Sequence, residues 1–219
     1  MHGLAETVDL TNDMMNFASG MDRALHHFCK ENDLYLFCST ITVGQVLRFS
    51  EDLKGAKLTR AKLLEAYTER TKQQAVLSLV DDACASFPSF GPRRKILRDA
   101  IEAHYRAAFT LSVPVLFAQI EGILRDIGGL QPKANLKPTI KRDWDSRTLF
   151  GMTDSAAMFN AFLQKLYEGQ RRGGDFNRNP ILHGSDVAYD THENSLILIL
   201  TLLEIRTFLW FEKNTTPLV

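Results

Sequence analysis

The run 195–211 constrains this chain more than any other stretch. It holds Leu196, Ile197, Leu198, Ile199, Leu200, Leu202, Leu203 and Ile205, then Phe208 and Leu209, so a helix drawn through it has almost no polar face. Such a helix must be covered on several sides, in a bundle core or partly at a subunit interface. At 17 residues, with Glu204 and Arg206 inside, the run is short and interrupted for a bilayer span, and a buried helix is expected instead. The first structural commitment is therefore to partners of matching shape, which in a chain of 219 residues means other helices packed around this one.

The rest of the chain supplies them. Apolar periodicity predicts helices over about 21–31, from Thr40 or Thr42 to Lys54-Gly55, and over 58–70 and 72–87. Others follow over 93–110, from a Ser112 cap with Pro114 in its first turn to Ile127, and over 155–170. The last runs over 194–211, with Asp190 and Glu193 as a cap pair. Leu34-Tyr35-Leu36-Phe37 has strand composition and leaves a short extended segment open. Phe87-Pro88-Ser89-Phe90-Gly91-Pro92 is the clearest break and places a boundary there. The expected architecture is all-α, with an N-terminal helical segment over 1–90 and a helical bundle domain over 91–219.

Charge narrows the partners only locally. The 26 basic and 26 acidic side chains cancel, so bulk charge advertises no nucleic-acid partner. Residues 131–178, however, carry 9 basic and 5 acidic groups, net +4, whereas residues 1–90 carry 9 and 12, net −3. Three cysteines, Cys29, Cys38 and Cys84, form no CxxC pair, which suits a reduced, cytoplasmic compartment. His26, His27 and Cys29 lie close in sequence but match no zinc-module spacing, so no metal or cofactor is expected. The N-terminus lacks a basic start followed by an apolar core, and no secretory signal is expected.

The positive segment runs into Asp175-Phe176-Asn177-Arg178-Asn179-Pro180-Ile181-Leu182-His183-Gly184. Proline pushes the residue before it out of the helical region and suits a first helical position, and asparagine is a good N-cap. The expectation is a helix capped by Asn179, with Arg178 and His183 meeting across its start over an anion held by free N–H groups. The alternative is a capped turn with a surface arginine. Upstream, Glu121 falls at the edge of an apolar helix face and wants a cationic partner, for which Arg125 at i+4 qualifies. Gly122 beside it would let another backbone approach.

Arg178-Asn179-Pro180-Ile181-Leu182-His183 resembles the Arg-x4-6-His motif of the HEPN superfamily, in which Asn, His or Asp commonly follows the arginine. Leu111 through Leu124, bearing Glu121, is similar to an earlier acidic helix of that family, and the apolar run 195–211 is similar to its last helix. The resemblance covers roughly 91–211. It implies an all-α bundle that dimerises and, in many members, a metal-independent endoribonuclease acting in phage defence, toxin–antitoxin systems or RNA processing. Other members are inactive binding modules. Under the resemblance His183 is general acid or base, Arg178 holds the phosphate, and Glu121 orients Arg178. Asn179 caps the helix or contacts phosphate. Arg171, Arg172 and Lys141 bind flanking phosphates or are solvated surface charge. The implied partners are RNA, a second copy of the chain, and an antitoxin or regulatory protein. HEPN toxins paired with nucleotidyltransferase antitoxins carry a tyrosine two residues after the histidine. Here that position is Ser185, so control by modification of that tyrosine is not implied. Because the 2′-OH of RNA is the nucleophile, imidazole and guanidinium would suffice without metal. One imidazole per chain cannot easily be both base and acid, and a two-fold dimer would supply a pair.

Overall fold

A computed structural model describes residues 23–37, 39–130, 153–168 and 176–214. Every regular element among them is helical, and none is a strand. The elements are α1 (23–31), α2 (Val43–Lys54), α3 (Arg60–Arg70), α4 (Gln73–Ser86), α5 (Arg94–Tyr105), α6 (Phe109–Ile127), α7 (Thr153–Glu168), α8 (Arg178–Leu182) and α9 (His192–Asn214). The all-α expectation holds. No helix among the described residues is long and apolar enough to cross a membrane.

Helix α9 is the post on which α4, α5 and α6 stand. It packs on α4, α5 and α6, and α7 adds Phe159, whose ring stacks on Phe208 at 5.2 Å. Every residue from Ser195 to Ile205 is buried within the single chain. This corrects one argument for a dimer, because α9 leaves no unburied apolar face along those residues. The sequence showed that the helix needed covering on several sides; counting the helices around it required the fold.

The chain stops helices where the sequence offers weak signals. The helix expected over 93–110 ends at Tyr105. Ala107 takes a left-handed backbone (φ 56), its N–H bonds to His104 O at 3.0 Å, and the Ala108 N–H reaches Ala103 O at 2.8 Å. This is the paired termination that glycine usually provides, here built on alanine and so invisible to a search for glycine. Consequently α6 starts three residues before the expected Ser112 cap. Ser112 is buried inside it, and Pro114 lies in the second turn. At α9 the cap is Thr191, whose Oγ1 accepts from Asn194 N at 3.1 Å, while Glu193 pairs with Arg60 of α3. Thr42 caps α2 in a reciprocal box with Gln45.

Leu34–Phe37 is buried and, among the described residues, pairs with no strand. The Tyr67 hydroxyl accepts from Phe37 N at 3.0 Å and lies 3.4 Å from Tyr35 O, doing for this backbone what a neighbouring strand would. Tyr35 and Phe37 join Phe159 and Phe162 of α7 in one aromatic cluster. A single apolar core extends from Leu25 to Ile205, and α4 and α5, on either side of the 87–92 break, pack directly on each other.

Two buried titratable groups brace α9. His104 Nδ1 lies 2.8 Å from Ser195 Oγ, itself 2.7 Å from Ser112 Oγ, which ties α5, α9 and α6 together. Burial, with the His192 ring 5.0 Å away, lowers the His104 pKa from 6.5 to about 4. Glu204 accepts from the Ser39 N–H at 3.3 Å and from the Ser39 hydroxyl, yet its burial raises its pKa from 4.5 to about 7. Between pH 4 and 6.5 the unfolded chain holds a proton on His104 that the folded chain does not, so this group makes stability rise with pH. Between pH 4.5 and 7 the folded chain holds a proton on Glu204 that the unfolded chain releases, so this group makes stability fall with pH. The two opposing slopes largely cancel where they overlap. Glu204→Gln is expected to unmask the histidine: stability then rises from pH 4 to 6.5 and levels off. At pH 8 the variant exceeds the parent by on the order of 1–3 kcal/mol. Urea unfolding of both proteins at pH 4.5, 6.5 and 8 checks this, and equal stability at pH 8 would show that the buried carboxylate carries no penalty.

Candidate functional site

The chain enters α8 along an extended residue, Asn177 (φ −145, ψ 144), whose Oδ1 accepts from Asn179 N at 2.9 Å. Asn177 is therefore the N-cap, where the sequence pointed to Asn179. Arg178 is the first helical residue, and Pro180 is the third, still inside the turn whose N–H groups lack intrahelical partners. The bias of a pre-proline residue against helical backbone is overcome at Asn179 by this cap. The helix then stops after five residues. His183 is its C-cap, and Gly184 follows at φ 72, with its N–H on Ile181 O at 3.1 Å and the Ser185 N–H on Pro180 O at 2.9 Å.

This overturns the expected meeting of Arg178 and His183 across a helix start. The two residues sit at opposite ends of α8. Five steps at 1.5 Å and 100° place them ~7–8 Å apart along the axis and ~140° apart around it. His183 is exposed, and among the described residues no partner is found for its ring. A five-residue helix also has little macrodipole to offer an anion.

Arg178 turns inward, toward α6. Its Nη2 lies 2.8 Å from Glu121 Oε2, and its Nη1 donates to Asn179 Oδ1 at 3.0 Å. Glu121 is shared: Arg125 Nε and Nη2 each lie 3.0 Å from its Oε1. The two partners weighed for this carboxylate, Arg125 and Arg178, are thus both present, one on each oxygen. Two guanidiniums share one carboxylate in a half-buried cluster. Among the described residues Arg178 Nε is buried without a hydrogen-bond partner. Beneath the cluster the Tyr167 hydroxyl donates to Phe117 O at 3.1 Å. Burial, then the Glu121 charge, push its pKa well above 10, so it stays protonated and serves packing.

Asn179 is spoken for. It accepts from Arg178 and its Nδ2 lies 3.4 Å from Tyr167 O, so it does not cap α8 and both ends of its amide already have partners within the chain. At Gly122 the nearest neighbour is a side chain, not a second backbone. The glycine faces the Arg93 guanidinium, whose Nη2 would stand 2.6 Å from a Cβ placed there; Arg93 in turn bonds Asp126 at 2.8 Å and Ser89 O at 3.0 Å. Arg171, Arg172 and Lys141 lie outside the described residues. Among the described residues no three His, Cys, Asp or Glu side chains gather as a metal site. Sequence reasoning missed Asn177, although the cap preference that singled out Asn179 applies to it equally. Gly184 was the signal that would have bounded the helix from the other end.

No family model, curated protein or solved structure matches the chain.

Proposed function

We propose that the chain is a metal-independent endoribonuclease of HEPN type that cleaves RNA through attack of its own 2′-OH. The observation that carries this reading is the Glu121–Arg178 ion pair joining α6 to α8, with His183 exposed at the far end of the same short helix. In this reading Arg178, aimed by Glu121 and Asn179, neutralises the charge that develops on phosphorus, and His183 moves the proton at the 2′-oxygen or the 5′-leaving oxygen. Because Arg178 and His183 diverge around α8, the reading calls for a composite site in which a second copy of the chain brings its histidine toward the arginine. A toxin or antiviral setting, with an antitoxin or regulatory protein as partner, is carried by the family resemblance.

Cleavage is expected to survive chelator and to leave 2′,3′-cyclic phosphate and 5′-hydroxyl ends, read by end-labelling after incubation in EDTA. Products with 3′-hydroxyl ends, or activity lost in EDTA and restored by Mg²⁺, would replace this mechanism with a metal-dependent one.

A second reading is a catalytically silent HEPN-type module that binds RNA, nucleotide or a protein. It is favoured by the engagement of both Arg178 terminal nitrogens within the protein. The end-group experiment separates the two, since a silent module yields no new ends.

A further inference from the structure

Helix α8 is too short to hold its own geometry, since helices of one or two turns are marginal without tertiary support. What seats it is a pair of side-chain amides on the end of α7. Carbonyls in the last turn of a helix run short of intrahelical donors. Two of these in α7 are met from α8: Asn177 Nδ2 donates to Lys165 O at 2.7 Å, and Asn179 Nδ2 reaches Tyr167 O at 3.4 Å. The shorter bond belongs to Asn177, which is 5% exposed. The same amide faces both ways, because its Oδ1 caps α8 through Asn179 N at 2.9 Å.

Arg178 lies between these two asparagines, so its backbone is located by both while its guanidinium stretches away to Glu121 on α6. A change in how α8 sits on α7 moves the root of that side chain relative to α6. We infer that Asn177 is a positioning residue: by bridging α7's terminal carbonyl to α8's first turn, it sets where Arg178 presents its guanidinium to the phosphate. This rests on the ribonuclease reading for its catalytic consequence, while the seating of Arg178 is a separate physical claim. The arrangement explains why Asn stands at 177 where Asp or Ser would cap equally well. Asp lacks the donor for Lys165 O, and Ser is too short to span both helices.

The test uses the full chain with Asn177→Asp, which is isosteric and keeps the capping oxygen, and Asn177→Ser as a second variant. The first readout is the Arg178 Nε–H signal in a ¹H–¹⁵N spectrum, assigned by its loss in Arg178→Lys. In the parent this N–H is buried, and slow exchange with water is the expected result; both variants should speed exchange roughly tenfold or more with circular dichroism unchanged. The second readout is RNA turnover, with kcat lowered roughly 10–100-fold and KM nearly unmoved. An Arg178 signal untouched in both variants overturns the inference whatever the activity. A freed Arg178 with unchanged kcat overturns its catalytic consequence. A parent that cleaves no RNA, but whose Arg178 is freed by either variant, leaves the seating intact and removes the ribonuclease reading alone. His183→Ala serves as the contrasting control, abolishing turnover without shifting the Arg178 signal.

Discussion

His183→Ala is expected to melt with the parent protein while losing RNA cleavage by roughly 10²–10⁴-fold. The two halves of this prediction have different roots. The imidazole is exposed at the C-cap of α8, and the bonds that close the helix come from the backbone N–H groups of His183, Gly184 and Ser185, which the substitution retains. A surface change of this kind typically shifts stability by less than about 0.5 kcal/mol. The loss of turnover follows from removing the proton-transfer group that the proposed mechanism has at this end of the site. Comparing melting temperature with cleavage of a labelled RNA decides it. Full cleavage by a well-folded His183→Ala protein would strike the histidine from the mechanism. Sizing at micromolar concentration then addresses the composite site, since a fully active monomer would sink the dimer.

Glu121→Ala should do the opposite and damage fold and function together. The carboxylate is 14% exposed and faces two guanidiniums, Arg125 at 23% and Arg178 at 26% exposure. Removing it leaves two guanidiniums in a half-buried site without the carboxylate between them, and among the described residues Arg178 Nε already lacks a hydrogen-bond partner. Breaking a well-buried pair by deleting one partner costs about 3–5 kcal/mol; partial access to water here brings the expected loss to roughly 2–3 kcal/mol. Cleavage should fall as well, because Arg178 loses the anchor that aims it. Glu121→Gln keeps an acceptor and the side-chain shape, and should recover part of the stability but little of the activity. Urea midpoints for the three proteins at pH 7 provide the measurement. An unchanged midpoint in Glu121→Ala would mean that the cluster contributes nothing to folding.

Helices α2 to α4 could be located from the sequence because their signals are local. Thr42 with Gln45, and the apolar repeat at Val76, Leu79, Val80 and Ala83, lie within one or two turns of the backbone they organise, although Leu79 itself is exposed. The misplaced boundaries share a different cause. Ala107 terminates α5 in a conformation glycine prefers, Thr191 outcompetes Asp190 as the α9 cap, and Asn177 outcompetes Asn179 at α8. In each case several residues were chemically able to act, and long-range packing chose among them.

The candidate site divides along the same line. Glu121 and Arg178 are 57 positions apart, and no local rule joins them; a family resemblance named the pair, and the packing of α8 against α6 brings the two side chains to 2.8 Å. By itself the sequence determined that the apolar run beginning at Ser195 had to be a covered helix, since burial follows from side-chain chemistry, although only Ser195–Ile205 is fully buried. Only the tertiary structure decided that one chain suffices to bury Ser195–Ile205, and that Arg178 turns inward while His183 turns out. Those outcomes depend on which helix faces are opposed, and therefore on contacts between residues that lie far apart along the chain.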